Sequence, residues 1–417
     1  MSRRFALQEV IDPNQATVVV ERDAQGNTGD VRFDLSGLPR VDALLVGRPI
    51  GEVPGLVERV CGLCPAAHHL AGIRALEALA GAPAIPETAL AIRRLLHLGS
   101  AVQVHAERAV MSRSPEAADA AAALRFAAQV KAAAGSPGHF PATAIPGGVS
   151  AAVSPEHLDQ LSSALNTILD ASLAAAEAAL SRPAADDTFT GWNASLCDAS
   201  GVPDLLGDHL KVARPGEVFA VIGPAEADDL IAEEIPGASA PRPYLAALGP
   251  MAGRYRVGPV AQLHIGPLGT PAARALQERW LDHGGADAAR AVMAVHVLES
   301  VDQLLGRSAL TGERLVTDVQ IHDGVGVGWV DGPRGLLIHR YQCTSGTLTS
   351  SAILTPTAQN EPWLAGLLGA VPINQDSLAD LEGAIREADP CLPCSSAPPG
   401  GMGLIVQHRD VVASEGA

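Results

Sequence analysis

Two pairs of cysteines with the spacing Cys-x-x-Cys lie near opposite ends of the chain. Cys61 and Cys64 form the first pair, and Cys391 and Cys394 form the second. A tight turn presents both sulfurs of such a pair on one side, so two pairs can enclose a single soft metal ion. If the pairs meet in space, the protein is built around a buried metal.

The cysteine spacing by itself leaves the kind of metal site open. Zinc held by four cysteines is the commonest use of this spacing, and it would have a structural role. Structural zinc sites usually join neighbouring segments, whereas most of the chain separates these two pairs, and a chain of 417 residues has no need of zinc for stability. A catalytic or assembly metal site is therefore the stronger interpretation, and four unlinked thiols are the third.

Charge and hydropathy exclude several classes of function. The formal net charge is −17, which argues against nucleic acid and anionic membrane surfaces as partners. No run of about 18 apolar residues suggests a transmembrane span, so we expect no direct membrane insertion. No export signal follows the first residues, which indicates a cytoplasmic protein. The isolated Cys197 and Cys343 are interpreted as small apolar residues.

Apolar periodicity and breaker residues predict the elements that must position the cysteines. A hairpin is predicted near the N-terminus, with strands over 17–22 and 31–35. Helices are predicted over 42–46, 53–59, 86–113, 117–134, 155–181, 270–283 and 287–305, with Ser154 as an N-cap. An extended pattern covers 316–355. The predicted class is α+β and predominantly α, with a core of long helices, peripheral β-rich segments and a metal site between loops near the two termini.

The length of the chain predicts two or three lobes, and the same patterns divide it into four segments. They are an N-terminal β-rich segment (1–60), a helical core with the first cysteine pair (61–182), a mixed insertion (183–265), and a last segment of helices, extended chain and the second pair (266–417).

The residues around the cysteines resemble one known family. Arg59 opens the pattern Arg-x-Cys-Gly-x-Cys-x-x-x-His, which ends at His68, and Asp389 opens Asp-Pro-Cys-x-x-Cys. In this order the two motifs resemble the large subunit of nickel–iron hydrogenases. Weaker matches between them extend the resemblance over most of the chain. They include Gly-Pro-Arg-Gly at 332–335 and Thr-Ala-Gln-Asn at 357–360, and they are most similar to the cofactor-reducing branch.

The resemblance implies a metal centre and its ligands. Cys61, Cys64, Cys391 and Cys394 would bind nickel, and the second cysteine of each pair would also bridge to an iron that carries cyanide and carbon monoxide. Soft thiolates suit low-valent nickel. The activity implied is heterolytic oxidation of H2 or reduction of protons.

The family pattern also assigns residues around the metals. Arg334 resembles an arginine that overhangs the centre, with Asp389 as its carboxylate neighbour, and both are expected to act in catalysis. His68 and Pro333 are expected beside the cofactor, with His68 as a hydrogen-bond partner of a ligand rather than a ligand itself. His69 is interpreted as structural.

Two helical histidines near the first pair have a simpler interpretation. His97 and His105 are expected to be packing residues with satisfied hydrogen bonds.

The family further implies partners. An iron–sulfur small subunit would carry electrons away from the buried centre, and hydrogenase maturation proteins would load it. The alternative function is a maturation scaffold that resembles the large subunit, carries the iron unit with its cyanide and carbon monoxide ligands, and is not itself catalytic.

Three departures from the family favour that alternative. The stretch Asp12–Val18 lacks the glutamate that family members use to pass protons. No histidine follows Cys394, where 395–397 reads Ser-Ser-Ala, so we expect the residues after Ala397 to be retained. Asp42 stands where the family has an acidic ligand for a hard cation, but Ala397 offers no ligand, so no magnesium site is predicted.

Overall fold

The structure is a computed structural model that describes residues 15–22, 28–35, 41–59, 61–111, 117–141, 143–185, 187–234, 241–372 and 377–410. Within these ranges the α-helices are α1 (Val41–Leu45), α2 (Val53–Val57), α3 (Pro65–Leu79), α4 (Glu87–Met111), α5 (Ala117–Ala133), α6 (Pro155–Leu180), α7 (Ala227–Leu230), α8 (Gly249–Ala252), α9 (Pro259–Ile265), α10 (Pro271–His283), α11 (Ala286–Leu305), α12 (Pro356–Gln359), α13 (Glu361–Gly369) and α14 (Leu378–Ala388).

The strands in the same ranges are short, and most belong to small antiparallel sheets. They are β1 (Gln15–Arg22), β2 (Thr28–Phe33), β3 (Ala144–Ile145), β4 (Gly148–Val149), β5 (Trp192–Cys197), β6 (His209–Arg214), β7 (Glu217–Ile222), β8 (Ile231–Glu233), β9 (Pro243–Leu245), β10 (Tyr255–Arg256), β11 (Gly324–Gly332), β12 (Gly335–Thr344), β13 (Thr347–Leu354) and β14 (Gly403–Asp410).

The long helices form the centre of the molecule, as predicted. Helix α11 packs against α4, α6, α9 and α10. Ser154 caps α6, accepting a hydrogen bond at 3.3 Å from the backbone N–H of His157, and Pro155 occupies the first helical turn. Helices α10 and α11 are separate because Gly284 and Gly285 both adopt positive φ between them. The prediction of a mixed fold of helix and sheet is confirmed, and helix is the larger share.

Helices α9, α13 and α14 were not predicted from the sequence, and neither was α3, which directly follows the first cysteine pair. Helix α3 begins directly after Cys64 with Pro65 in its first turn, and 13 of its 15 residues are buried, including Leu70 and Ala71. A helix that is buried nearly all round lacks the one-sided periodicity on which the predictions relied.

Strands β11, β12 and β13 form an antiparallel sheet that packs on α3. Its first hairpin pairs Gly332 with Gly335, so Pro333 and Arg334 alone make the turn. Helix α3 covers β11 so closely that a Cβ on Gly328 would lie 2.2 Å from the carbonyl oxygen of Ala71. The predicted extended segment 316–355 is therefore a sheet, although its first strand begins only at Gly324.

After the second cysteine pair, the described residues end in a strand that the sequence also did not predict. Strand β14 runs parallel to β1, in the order β14-β1-β2, with Gly403 beside Gln15 and Asp410 beside Arg22. The two predicted N-terminal strands are confirmed, and their connection, residues 23–27, lies outside the described residues. This parallel pair joins strands from opposite ends of the sequence, and local sequence patterns cannot predict a pairing between such distant segments.

The segment between Cys394 and β14 is held by buried contacts. Arg386 donates to the carbonyl oxygens of Ala397 and Pro398, and Glu382 accepts at 2.9 Å from the N–H of Gly400. Met402 is buried in the largest apolar cluster, whose members range from Ala16 to Met402. The division into four segments stays a prediction. No described helix is long and apolar enough to cross a membrane.

Replacing Met402 with alanine is expected to lower the free energy of unfolding by about 2 kcal/mol or more, because it leaves a cavity in the main core. Urea unfolding of the purified chain measures this. Met251→Ala is the matched control, since Met251 is 73% exposed and its loss costs little. Equal effects, or an intact mass that ends near Ala397, would show that the C-terminal segment is not part of the mature fold.

Candidate metal centre

The first cysteine pair lies where a short loop enters α3. Cys64 is the residue that precedes the helix, and its carbonyl oxygen accepts from the N–H groups of Ala67 and His68 at 3.1 and 3.3 Å. The positive end of the helix dipole therefore lies beside this residue and favours negative charge there, although hydrogen bonds with Cys391 and then Cys61 raise the pKa of its thiol.

The second pair lies just after α14. Asp389 ends that helix in the left-handed conformation, with φ of 47°, and Pro390 prevents the helix from continuing. The N–H of Cys391 donates to the hydroxyl of Thr357 at 2.8 Å. Thr357 opens the Thr-Ala-Gln-Asn stretch, so that stretch anchors the second pair directly.

The same stretch also fixes the loops around Arg334. Gln359 donates to the carbonyl oxygen of Leu336 at 2.5 Å, and Asn360 exchanges two hydrogen bonds with the backbone of Val257 at 2.8 and 3.2 Å. The sequence identified this stretch as a family match but gave it no role.

Three sulfurs from the two distant pairs meet at one point. Cys61 and Cys64 are 3.1 Å apart, and Cys391 lies 3.7 Å from each of them. Sulfurs bound at about 2.3 Å to one tetrahedral ion are roughly 3.8 Å apart, so this triangle has the size of one face of a thiolate site.

The fourth cysteine stands apart from this triangle. The sulfur of Cys394 makes no contact of comparable length with the other three, within the part of the chain that is described. It lies instead in the main apolar cluster, where burial raises its pKa to about 11. The structure thus brings together three of the four predicted nickel ligands.

The three neighbouring sulfurs compete for negative charge. Hydrogen bonds from Cys391 and then Cys64 lower the pKa of Cys61 far below its usual value, whereas the pKa of Cys64 is raised. Three thiolates at this spacing require a cation, and a thiol that coordinates a metal ion loses its proton.

Arg334 reaches this region from the tip of the β11–β12 turn. Its side chain is buried. Gly258 packs against its backbone so closely that a Cβ on Gly258 would lie 2.9 Å from the carbonyl oxygen of Arg334. Gly258 and Gly335 both have positive φ, and a Cβ on Gly335 would lie 2.5 Å from Val257. Only glycine allows this close approach of the two loops.

Arg334 and Asp389 form the buried ion pair that the sequence predicted. The Nε of Arg334 lies 3.5 Å from the Oδ2 of Asp389. Burial lowers the pKa of Arg334, but Asp389 and the thiolates outweigh burial and raise it above its ordinary value. Arg334 is therefore a fixed cation, and a role as free base is not supported by this environment.

Two further arginines, which the sequence did not identify, surround Asp389. The Nε of Arg108 lies 3.6 Å from its Oδ2, and Arg290 is close enough to affect its charge. Burial raises the pKa of Asp389, but the three arginines outweigh burial and lower it to about 2. Pro333, Arg334, Arg290 and Asp389 line a cavity of about 10 Å³, which has room for one water molecule.

His68 lies beside the sulfurs and begins a chain of buried hydrogen bonds. One of its ring nitrogens is within 4.8 Å of the sulfurs of Cys61 and Cys64. Its Nδ1 is 3.1 Å from the Nε2 of His339, and the Nδ1 of His339 is 2.6 Å from the hydroxyl of Tyr341. His339 and Tyr341 are two residues apart on β12, so their side chains lie on the same face of the strand, toward α3.

Of the other histidines in this region, His69 has structural contacts at both ring nitrogens and His97 at one, while the Nδ1 of His97 has no hydrogen-bond partner among the described residues. His69 lies between the carbonyl oxygen of Ala144 at 2.8 Å and the carboxylate of Glu58 at 3.0 Å. His97 is 2.6 Å from the carbonyl oxygen of Asp331, and burial lowers its pKa to about 4. Burial likewise lowers the pKa of His105 to about 3, so it is neutral.

The isolated cysteines are buried in strands, Cys197 in β5 and Cys343 in β12. Asp42, the residue at the acidic position of the family, accepts from the hydroxyl of Ser351 at 3.3 Å. Of the stretch Asp12–Val18, residues 12–14 lie outside the described residues.

Comparisons with known proteins identify the family. A family model described as nickel-dependent hydrogenase matches residues 40–107. One component of the vhu F420-non-reducing hydrogenase of Methanococcus voltae is 30% identical over 389 residues, which cover 83% of this chain and 92% of that protein. The beta subunit of the NAD-reducing hydrogenase HoxS of Cupriavidus necator is 26% identical, and the match covers 98% of both chains.

A solved structure shows the same fold. A crystal structure of an NAD+-reducing [NiFe]-hydrogenase in the H2-reduced state matches with a TM-score of 0.79 and 28% identity, over 90% of this chain and 95% of that chain. The chain belongs to the nickel–iron hydrogenase large-subunit family.

The residues present fit the metals that this family implies. Three soft sulfur donors from two turns converge within 3.1 to 3.7 Å of one another, which is the donor set that a soft metal ion prefers. Cys394 lies on the same turn as Cys391, so rotation of that turn is the adjustment that a fourth ligand would need.

Proposed function

We propose that this chain is the catalytic large subunit of a nickel–iron hydrogenase, which oxidises H2 or reduces protons. The observation that carries the proposal is the convergence of Cys61, Cys64 and Cys391, from opposite ends of the chain, beside the buried pair of Arg334 and Asp389. We propose Cys394 as the fourth ligand, and cyanide and carbon monoxide as ligands of the iron.

When bound, a nickel–iron centre would make H2 acidic enough for heterolytic cleavage. The surrounding residues then determine where charge develops. Arg334 holds a fixed positive charge beside the sulfurs, and Asp389 holds its guanidinium in place. A preorganised cation in a dry site stabilises developing negative charge without reorganisation. Pro333 fixes the turn from which Arg334 extends.

The proposal includes partners. Relatives are named as single components of hydrogenases with several subunits, which supports pairing with an iron–sulfur small subunit that carries electrons. Hydrogenase maturation proteins would load the metals. We place the assembly in the cytoplasm.

Metal analysis and infrared spectroscopy of protein purified from its native host test the proposal. We expect nickel and iron together, with infrared bands of cyanide and carbon monoxide. Iron with those bands but without nickel would indicate the maturation scaffold instead. Zinc alone would refute both functions.

The scaffold is not favoured. The relatives named above belong to hydrogenases, and the buried Arg334–Asp389 pair has no use in a protein that only carries iron.

A further inference from the structure

We propose that Tyr341 and His339 are positioning residues that fix the direction of the hydrogen bonds reaching the metal thiolates through His68. The inference deepens the proposed function, on which its role in metal binding rests. It assigns a task to two residues of β12 that lie beyond the predicted site.

The chain of contacts is continuous and buried. The sulfurs of Cys61 and Cys64 lie within 4.8 Å of a ring nitrogen of His68, and His68, His339 and Tyr341 follow at 3.1 and 2.6 Å. His68 is 5% exposed, and His339 and Tyr341 are fully buried. Because water does not reach these nitrogens, each ring can satisfy its hydrogen bonds only through its neighbours.

The negative sulfur at one end sets the direction. The Nδ1 of His68 is occupied by His339, so its Nε2 is the nitrogen left for the sulfurs. A thiolate accepts hydrogen bonds, so this Nε2 carries the proton. A neutral imidazole has a single N–H, and the Nδ1 of His68 is then an acceptor.

The direction then passes outward along the chain. His339 must donate from its Nε2 to His68, which makes the Nδ1 of His339 an acceptor as well. Tyr341 must therefore donate its hydroxyl proton to that nitrogen. A phenol can do so, and a phenylalanine in the same position cannot.

The surroundings keep these groups in the required protonation states. Burial lowers the pKa of His339 well below its ordinary value, so it stays neutral. Burial, and then the charge of Asp42, raises the pKa of Tyr341, so it keeps its proton.

A glycine leaves room for the hydroxyl. Gly72 on α3 faces Tyr341, and a Cβ there would lie 3.3 Å from the hydroxyl oxygen. The Tyr341 ring itself packs among apolar residues that include Val53 and Leu76, so removal of the hydroxyl leaves the packing in place.

The opposite direction requires a different state of the site. If His68 carried a positive charge, or accepted a hydrogen bond at its Nε2 from a protonated sulfur, its Nδ1–H would donate to His339, and the Nδ1–H of His339 would donate to the oxygen of Tyr341. The tautomer of His339 therefore distinguishes the two directions: Nε2–H in the proposed chain and Nδ1–H in the reverse one.

Nitrogen NMR of the full chain, labelled with ¹⁵N-histidine and metal-free with reduced thiols, reads this tautomer. We expect His339 in the Nε2–H form in the native sequence, and loss of that preference in Tyr341→Phe. His97 is an internal reference, because its Nε2 faces a carbonyl oxygen and must carry the proton in every variant.

Tyr255→Phe is the matched control. Tyr255 is also fully buried, and its hydroxyl donates to Gln359 at 3.2 Å, away from the histidine chain. We expect the histidine spectrum of Tyr255→Phe to match that of the native chain.

Nickel affinity, measured by competition with a chelator, reads the consequence. Loss of an outer partner of a metal ligand typically weakens binding by about 10- to 100-fold. Because Tyr341 acts on the ligands through His339 and His68, we expect the lower end of this range, about tenfold, for Tyr341→Phe. An Nδ1–H form of His339 in the native chain, an unchanged tautomer in Tyr341→Phe, or native nickel affinity in that variant would each overturn the inference. None of these results bears on whether cyanide and carbon monoxide bands are present, so failure of the proposed function is distinguished separately.

Discussion

Cys64→Ser is expected to reduce the nickel content of the purified protein to background and to abolish turnover of H2. Serine supplies a hard oxygen that does not replace a thiolate for nickel. It also preserves the fold, because serine is a favoured residue at the position before a helix, which Cys64 occupies in front of α3. Metal analysis together with an H2-oxidation assay measures both effects.

The control for this variant is Cys197→Ser. Cys197 is fully buried in β5 and far along the chain from both pairs, so a hydroxyl there costs stability but removes no ligand. We expect it to lower the unfolding temperature and to keep its nickel. If both variants lost nickel equally, the loss would reflect damage to the fold, and the ligand assignment would be wrong.

The parts of the fold that the sequence predicted well are those with a local signal. Helix α6 has a capping serine and a proline in its first turn, and α10 and α11 are divided by two glycines. Helix α3 and strand β14 were missed for opposite reasons. The first is buried on nearly all sides and shows no polar face, whereas the second is formed by pairing with a strand almost the whole chain away.

The candidate site shows the same limit. The cysteine spacing and the Gly-Pro-Arg-Gly turn were visible because each lies within a few residues. Arg108, Arg290 and His339 were not, because each meets the site only through tertiary packing. A local pattern did exist for His339. It lies two residues before Tyr341, on the same face of a strand that begins at the Arg334 turn.

The position of Cys394 is the point on which structure and family expectation differ most. Three sulfurs form a closed triangle without it, and it packs in the apolar core. A metal that required all four would have to draw the short turn at 393–396 toward the other sulfurs. The energy for such a movement is available, because apparent binding free energies at thiolate sites reach about 10 kcal/mol or more.

Arg334→Lys is expected to lower the turnover number for H2 by about 100-fold while leaving the metal content unchanged. The charge is kept, but lysine has a single flexible ammonium in place of the planar guanidinium that Asp389 holds beside the sulfurs. Arg340→Lys is the matched control, since Arg340 lies six residues after Arg334, on β12. Arg340 pairs with Asp228 near the surface at 2.5 Å, away from the sulfurs, so its replacement is expected to leave turnover within about twofold. Native turnover in Arg334→Lys would mean that a positive charge alone suffices there, and a loss of metal in that variant would mean that Arg334 holds the site together rather than acting on the substrate.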